Sequence, residues 1–217
     1  MVSERLHINE IFYSIQGESS HVGRPCVFVR LSGCNLRCRW CDTEYAFNEG
    51  RRMPISEVVS AVAGYGCGLV EITGGEPLLQ EGVYPLSEAL LQTGHQVMIE
   101  TSGAVDISAL DPRVIKIMDL KCPGSEESER NLWSNLDHLG AEDEIKFVIA
   151  DRADYEWSRK VIEERNLAER VKAVLMSPVF GELEPAMLAR WLLEDRLPAR
   201  LQLQIHKYIW SADARGV

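Results

Sequence analysis

Three of the six cysteines stand within eight residues, in Gly33-Cys34-Asn35-Leu36-Arg37-Cys38-Arg39-Trp40-Cys41-Asp42-Thr43. A C-x3-C-x2-C spacing makes a short loop on which three soft sulfur ligands turn toward one centre. A structural zinc site closes with four protein ligands, and an electron-transfer cluster commonly takes four cysteines. A local trio therefore leaves one metal position open, and an open position is where metal chemistry takes place. Two blander readings stand beside this one. The loop is a zinc knot closed by a distant Cys26, Cys67 or Cys122 or by a histidine, although zinc knuckles are usually paired C-x-x-C units. Or the thiols are simply buried, although burial alone needs no such spacing.

The remaining sequence limits the setting. A chain of 217 residues fits one domain with a real core. No apolar run approaches the ~20 residues of a membrane helix. Residues 1–5 are not followed by a signal-peptide core, so a cytoplasmic enzyme with no membrane contact is expected. Thiols gathered in one loop, not scattered in pairs, favour the same reducing compartment. The net charge of −10 argues against a nucleic-acid binder, whose affinity comes from clustered Lys and Arg.

Strand and helix patterns alternate along the chain. Strands are expected at 6–13, 26–31, 69–73, 96–100, 114–119, 144–150, 172–176 and 201–205, and helices at 54–62, 85–94, 153–165 and 184–195. Such βαβ succession predicts an α/β fold built on a parallel sheet. About six or seven parallel strands, one short of a closed eight, predict an incomplete, open TIM-like β/α barrel with an N-terminal strand extension and a lateral entrance at the gap. The expected organisation is a single domain: 1–25 as the extension, 26–208 as the partial barrel and 209–217 as a tail.

Polar residues fall at the downstream strand ends: Arg30 with the cysteines, Thr73 with Gly75 and Glu76, Ser102, Asp119 with Lys121, Ser177, and His206 with Lys207. In a parallel barrel those ends share the face that carries the active site. Each also has a structural reading. Arg30 interrupts an apolar strand and must find an anion, either internal or a ligand carboxylate. Thr43 is a hard-oxygen ligand suited to Mg2+ or an ordinary turn hydroxyl. Gln16 and Glu18 follow the first strand as solvated loop residues, or as ligand contacts, Gln16 having donor and acceptor side by side. Ser102 reads equally as a turn hydroxyl, Lys121 as a surface lysine, Cys122 as a small buried thiol and His206 as a hydrogen-bonded structural histidine.

The cysteine loop resembles the cluster motif of the radical S-adenosylmethionine (radical SAM) enzymes, with Trp40 at their aromatic position before the third cysteine and Gly74-Gly75-Glu76-Pro77 at their "GGE" motif. Over nearly its whole length the chain is similar to the 7-carboxy-7-deazaguanine synthases within that superfamily. The resemblance implies a [4Fe-4S] cluster on Cys34, Cys38 and Cys41, with SAM at the fourth iron. It implies SAM contacts at Trp40, Cys41, Asp42, Gly75, Glu76, Ser102, Asp119, Leu120, Lys121 and Ser177. It further implies Mg2+ at Thr43, substrate contacts at Ile15, Gln16, Gly17, Arg30, Thr73 and His206, and Glu18 as the candidate proton acceptor. The implied reaction is a ring contraction of 6-carboxy-5,6,7,8-tetrahydropterin to 7-carboxy-7-deazaguanine with loss of ammonia and catalytic use of SAM, on the way to queuosine or another 7-deazapurine. A flavodoxin as electron donor and a homodimer come with the family, whereas the tail beyond Tyr208 matches nothing in it. Two alternatives are a glycyl-radical enzyme activase, which shares the cysteine spacing, "TGGEP" and "DLK", and a zinc-stabilised binding module.

Overall fold

In the computed structural model, which describes residues 5–217, one nine-stranded sheet runs through the chain. Residues 1–4 of the expected N-terminal extension lie outside the described residues. The strands are β1 (Arg5–Ile15), β2 (Pro25–Leu31), β3 (Arg51–Pro54), β4 (Leu69–Gly74), β5 (Gln96–Thr101), β6 (Ile115–Asp119), β7 (Glu144–Ile149), β8 (Ala173–Pro178) and β9 (Arg200–Leu201). Their order in the sheet is β3-β1-β2-β4-β5-β6-β7-β8-β9. From β2 to β9 every neighbouring pair is parallel, whereas β1 pairs antiparallel with both β2 and β3. The two edges do not pair with each other, so the barrel is open, as the strand count predicts.

Side-chain alternation along each strand sorts the chain into two faces. Val70 and Ile72 of β4, Val97 and Ile99 of β5, and Ile145, Phe147 and Ile149 of β7 point outward into the main core. That core packs under helices α1 (Ile55–Gly64), α2 (Val83–Gln92), α3 (Arg152–Glu164), α4 (Leu167–Arg170) and α5 (Pro185–Asp195). The inward face changes character along its length. Phe12, Cys26, Phe28, Leu69, Met98, Ile115 and Ile117 fill its lower part as a separate apolar cluster. Farther along the same strands the inward residues are Arg30, Glu71, Thr73, Glu100, Asp119 and Lys146.

Two strand expectations change. β3 is an additional strand, short and exposed on its two arginines, which pairs with the start of β1 and leads directly into α1. The last strand stops at Leu201, because Gln202 and Gln204 turn their amides to Glu18 and the chain then enters the short helix α6 (His206–Ile209). His206 therefore stands on α6 and not at a strand end.

A segment outside the sheet also crosses the barrel. The β1–β2 connection reaches across the opening: Ser20 bonds through its backbone N–H (3.0 Å) and its hydroxyl to the buried Glu144 at the start of β7. Glu18 meets Lys146 farther along β7, and the Gly17 carbonyl accepts from the Ile205 N–H at 3.0 Å. This segment joins the first strands to the last ones without any strand pairing.

Candidate active site

A cavity of about 750 Å3 opens at the downstream ends of the parallel strands. Its walls gather most of the residues singled out by sequence: Ile15, Gln16, Gly17, Glu18, Arg30, Cys34, Cys38, Trp40, Cys41, Asp42, Thr43, Thr73, Gly75, Ser102, Asp119, Lys121 and His206.

The cysteine loop is held from below by the turn after β4. The Gly75 N–H bonds the Leu31 carbonyl at 3.2 Å and the Glu76 N–H bonds the Gly33 carbonyl at 2.8 Å. A Cβ on Gly75 would overlap the Gly33 carbonyl and the Cys34 side chain, so only glycine permits this contact. All six cysteines are free thiols. Burial pushes the Cys38 thiol up to about 11 and raises Cys34 and Cys41 as well, so the trio is protonated at neutral pH and becomes thiolate on binding metal. Among the described residues no three Cys, His, Asp or Glu side chains are already gathered tightly enough to grip an ion. The fit to an iron–sulfur cluster rests on the donor set: three soft ligands from one loop facing one cavity.

Thr43 Oγ1 donates to Asp42 Oδ1 at 3.0 Å, and Asp42 Oδ2 accepts from Lys207 Nζ at 2.8 Å. Burial opposes ionisation of Asp42, but the Lys207 charge and hydrogen bond hold it well below the usual carboxylate range. A hydroxyl beside a permanently ionised carboxylate suits a hard cation.

The side of the cavity around Arg30 is more heavily charged than the sequence reading foresees. Arg30 Nε pairs with Glu10 Oε1 at 2.8 Å, and its guanidinium lies over Phe12 and Tyr45 at 5.7 and 5.8 Å from the ring centroids. The internal anion is real, yet among the described residues the terminal nitrogens of Arg30 make no hydrogen bond and the residue lines the cavity. Gln16 is buried: its Nε2 donates to Glu71 and its Oε1 accepts from the Glu18 N–H at 2.9 Å. Its amide is therefore a strut for the loop that still has one N–H and one lone pair unused on the cavity wall. Glu18 lies 2.6 Å from Lys146 Nζ and 2.8 Å from Gln204 Nε2. Burial disfavours its charge, but Lys146 prevails and keeps Glu18 below the usual range, so it stands ionised as a weak base. His206 packs on Gly17, where a Cβ would overlap the imidazole, and burial lowers its pKa.

Three expected SAM contacts do not line the cavity. The fully buried Glu76 accepts from Thr101 Oγ1 (2.9 Å), Ser102 N (2.7 Å), Ser102 Oγ (2.6 Å) and Leu78 N (3.0 Å), so its carboxylate is consumed in bracing the β5 end. Leu120 and Ser177 are buried outside the cavity lining, although Ser177 lies on the inward face of β8, in register with Val148, and among the described residues its hydroxyl has no hydrogen-bond partner. Asp119 and Lys121 do face the cavity and pair with each other at 2.9 Å.

Sequence reasoning passed over Glu71, Glu100, Lys146 and Tyr45, all of which line the cavity. The signal was available for the first three: each is a charge inside an apolar strand, the pattern that drew attention to Arg30. The tail also enters the wall over residues 212–217, with Arg215 stacked 3.8 Å from the Tyr45 centroid and paired with Glu49 at 3.2 Å.

The Radical SAM superfamily model matches residues 28–164. The chain is 47% identical to the 7-carboxy-7-deazaguanine synthase of Koribacter versatilis, covering 98% of this chain and 100% of that one. It is 48% identical to the synthase of Chlorobaculum tepidum, over 98% and 97% of the two chains. The chain belongs to the 7-carboxy-7-deazaguanine synthase family of radical SAM enzymes. The crystal structure of QueE from Escherichia coli shares the fold at a TM-score of 0.76, with 22% identity over 93% of this chain and 94% of that one. Membership makes the chain a radical SAM lyase that uses a [4Fe-4S] cluster and SAM, and it retires the zinc-knot reading of the cysteine loop. Among the described residues no helix is long and apolar enough to cross a membrane.

Proposed function

We propose that this lyase converts 6-carboxy-5,6,7,8-tetrahydropterin to 7-carboxy-7-deazaguanine with release of ammonia, in an Mg2+-dependent reaction that regenerates SAM. The observation that carries the reading is the convergence of the cysteine loop, Thr43 and the partly unpaired Arg30 guanidinium on one aromatic-walled cavity. When bound, the cluster and SAM supply a 5′-deoxyadenosyl radical able to abstract hydrogen from carbon; the chain supplies binding, orientation and exclusion of water.

Cys34, Cys38 and Cys41 would hold the cluster. Gly75, Ser102, Asp119, Lys121, Trp40 and Asp42, which line the same cavity, would contact SAM. Thr43 would hold Mg2+ through its hydroxyl. The Arg30 terminal nitrogens suit the substrate carboxylate, a charge-assisted and geometrically directed contact. Phe12, Phe28 and Tyr45 give flat apolar walls to a pterin ring, and Ile15, Gly17, Thr73 and His206 complete its surroundings. The β1–β2 connection, bonded across the opening, keeps bulk water from the site.

A reducing cytoplasm suits the free thiols, and a flavodoxin-type one-electron donor and a homodimeric assembly complete the proposal. The test is an anaerobic assay of reconstituted protein with SAM, Mg2+, reductant and the tetrahydropterin, read by mass spectrometry. Product in excess over SAM consumed is the expected outcome. Cleavage of SAM without that product would move the chain to the glycyl-radical activase reading.

A further inference from the structure

Among the described residues, the buried acidic groups that line the cavity have cationic partners with one exception. Glu18 and Glu100 share Lys146, and Asp119 pairs with Lys121. Glu71, 4% exposed and on the cavity wall, has the Gln16 amide as its hydrogen-bond partner and no cation. The Gln16 orientation is fixed independently, because its Oε1 must accept from the Glu18 N–H at 2.9 Å, which leaves Nε2 facing Glu71.

The surroundings favour the neutral carboxyl. Burial raises Glu71 well above the usual carboxylate range; the charges of Glu100 and Glu18 raise it further, while Lys146 and Arg30 oppose them without prevailing. Phe28 and Met98 flank it in register on the two neighbouring strands, and Leu69 with the protonated Cys26 thiol lies one layer below, an apolar setting that does not solvate an anion. A neutral carboxyl has one O–H to donate. With one oxygen accepting from Gln16, the other carries the proton on the cavity side. Glu71 pairs in register with Phe28 and sits one layer below Arg30, which is in register with Thr73 on the same strand as Glu71.

We propose that Glu71 is a specificity-determining residue that donates a hydrogen bond to an acceptor on the substrate's aminopyrimidinone ring, a carbonyl oxygen or an unprotonated ring nitrogen, while Arg30 above it takes the carboxylate. This rests on the reading of the cavity as a pterin site. An anionic glutamate at the same place would repel that acceptor and take the N–H and NH2 donors of the same ring instead, so the protonation state of one side chain sets which edge of the ring it meets. Glutamine reproduces the arrangement, its carbonyl accepting from Gln16 and its NH2 donating into the cavity; alanine removes both.

The experiment has two arms. Infrared difference spectra of the wild-type protein against Glu71→Gln at neutral pH should show a protonated-carboxyl C=O band that the variant lacks. Anaerobic equilibrium dialysis with 6-carboxytetrahydropterin, without turnover, should show Glu71→Gln binding within about threefold of wild type and Glu71→Ala weaker by about tenfold or more, the loss of one buried hydrogen bond. Absence of the band overturns the proposal, and so do equal losses in the two variants. If the wild-type protein binds no pterin, the functional reading falls and takes this proposal with it; binding by wild type with equal losses in both variants overturns this proposal alone.

Discussion

The Lys146 ammonium lies 2.6 Å from Glu18 Oε2 and also bonds Glu100, so a strand in the middle of the parallel run ties the β1–β2 connection across the barrel opening. Lys146 is 5% exposed, and removing it leaves carboxylates buried without their cation. Lys146→Met should lower the unfolding free energy by roughly 3–5 kcal/mol. Urea denaturation of the cluster-free protein measures this, and Lys146→Met/Glu18→Gln should recover part of the loss. A change below about 1 kcal/mol would show the ion pairs to be dispensable.

Gly17 and His206 fit as a pair. Gly17→Ala drives a methyl into the imidazole and should cost about 1–3 kcal/mol by overpacking. In a His206→Ala background the same change should cost much less. A double-mutant cycle on unfolding free energy and on pterin affinity reads the coupling; additivity would mean that the contact carries no energy.

Thr43→Ala should retain the visible absorption of the reconstituted cluster and SAM cleavage, yet lose most of its stimulation by Mg2+. The substitution removes one hydroxyl and its 3.0 Å bond to Asp42, leaving the Asp42–Lys207 pair intact. Magnesium titrations of product formation make the comparison, and undiminished stimulation would exclude Thr43 as the ligand.

Arg30→Ala should weaken pterin binding by about 2–5 kcal/mol, the range for truncating one partner of a buried charged pair. Glu10→Gln should be far milder, because the guanidinium keeps its terminal nitrogens and its place over Phe12 and Tyr45. Equal binding by Arg30→Ala and wild type would make the Glu10 pair its whole purpose.

His21 gives the fold an acid-sensitive point. It is 4% exposed, with Nδ1 2.6 Å from Arg24 Nη1. Burial, then Arg24 and Lys172, lower its pKa below the ordinary 6.5, so the folded chain keeps it neutral while the unfolded chain accepts a proton. Its contribution to stability is present above about 6.5 and is lost as pH falls below that value, by up to about 1.4 kcal/mol per pH unit. Urea midpoints across this window should fall more steeply for wild type than for His21→Gln; parallel slopes would assign the acid sensitivity elsewhere.

The fold and the cavity's position were legible because apolar strand runs, glycine turns and polar strand ends repeat in a fixed phase. Arg30 shows how far such reasoning reaches: an arginine in an apolar strand had to meet an anion, and it meets Glu10 while keeping nitrogens toward the cavity. The same logic applied to Glu71, Glu100 and Lys146 would have found the interior charges. Glu76 marks the limit. A conspicuous motif residue suggests a ligand contact, but whether a side chain faces a cavity or braces a neighbouring strand depends on local dihedrals that spacing does not encode. β3 was hidden for another reason: it is an edge strand whose arginines carry no alternating apolar signal. The 201–205 segment alternates like a strand, yet its glutamines bond Glu18 across the chain, a long-range partner invisible to a local pattern.

The bonds that hold the β1–β2 connection have a bearing on how the chain reaches its native state. Ser20 waits for Glu144, Glu18 for Lys146 and then for Gln204, partners separated by 124, 128 and 186 positions. Contacts of such long range slow folding, because loop-closure entropy is lost before they form. During synthesis the first hairpin emerges early, but its loop has nothing to anchor on until β7 and the final segment leave the ribosome. Active-site assembly is thus gated by late parts of the polypeptide: a nascent chain stalled before residue 144 would have its cysteine loop in place without any anchor for the strap, and one stalled before residue 200 would lack the final bond from Gln204.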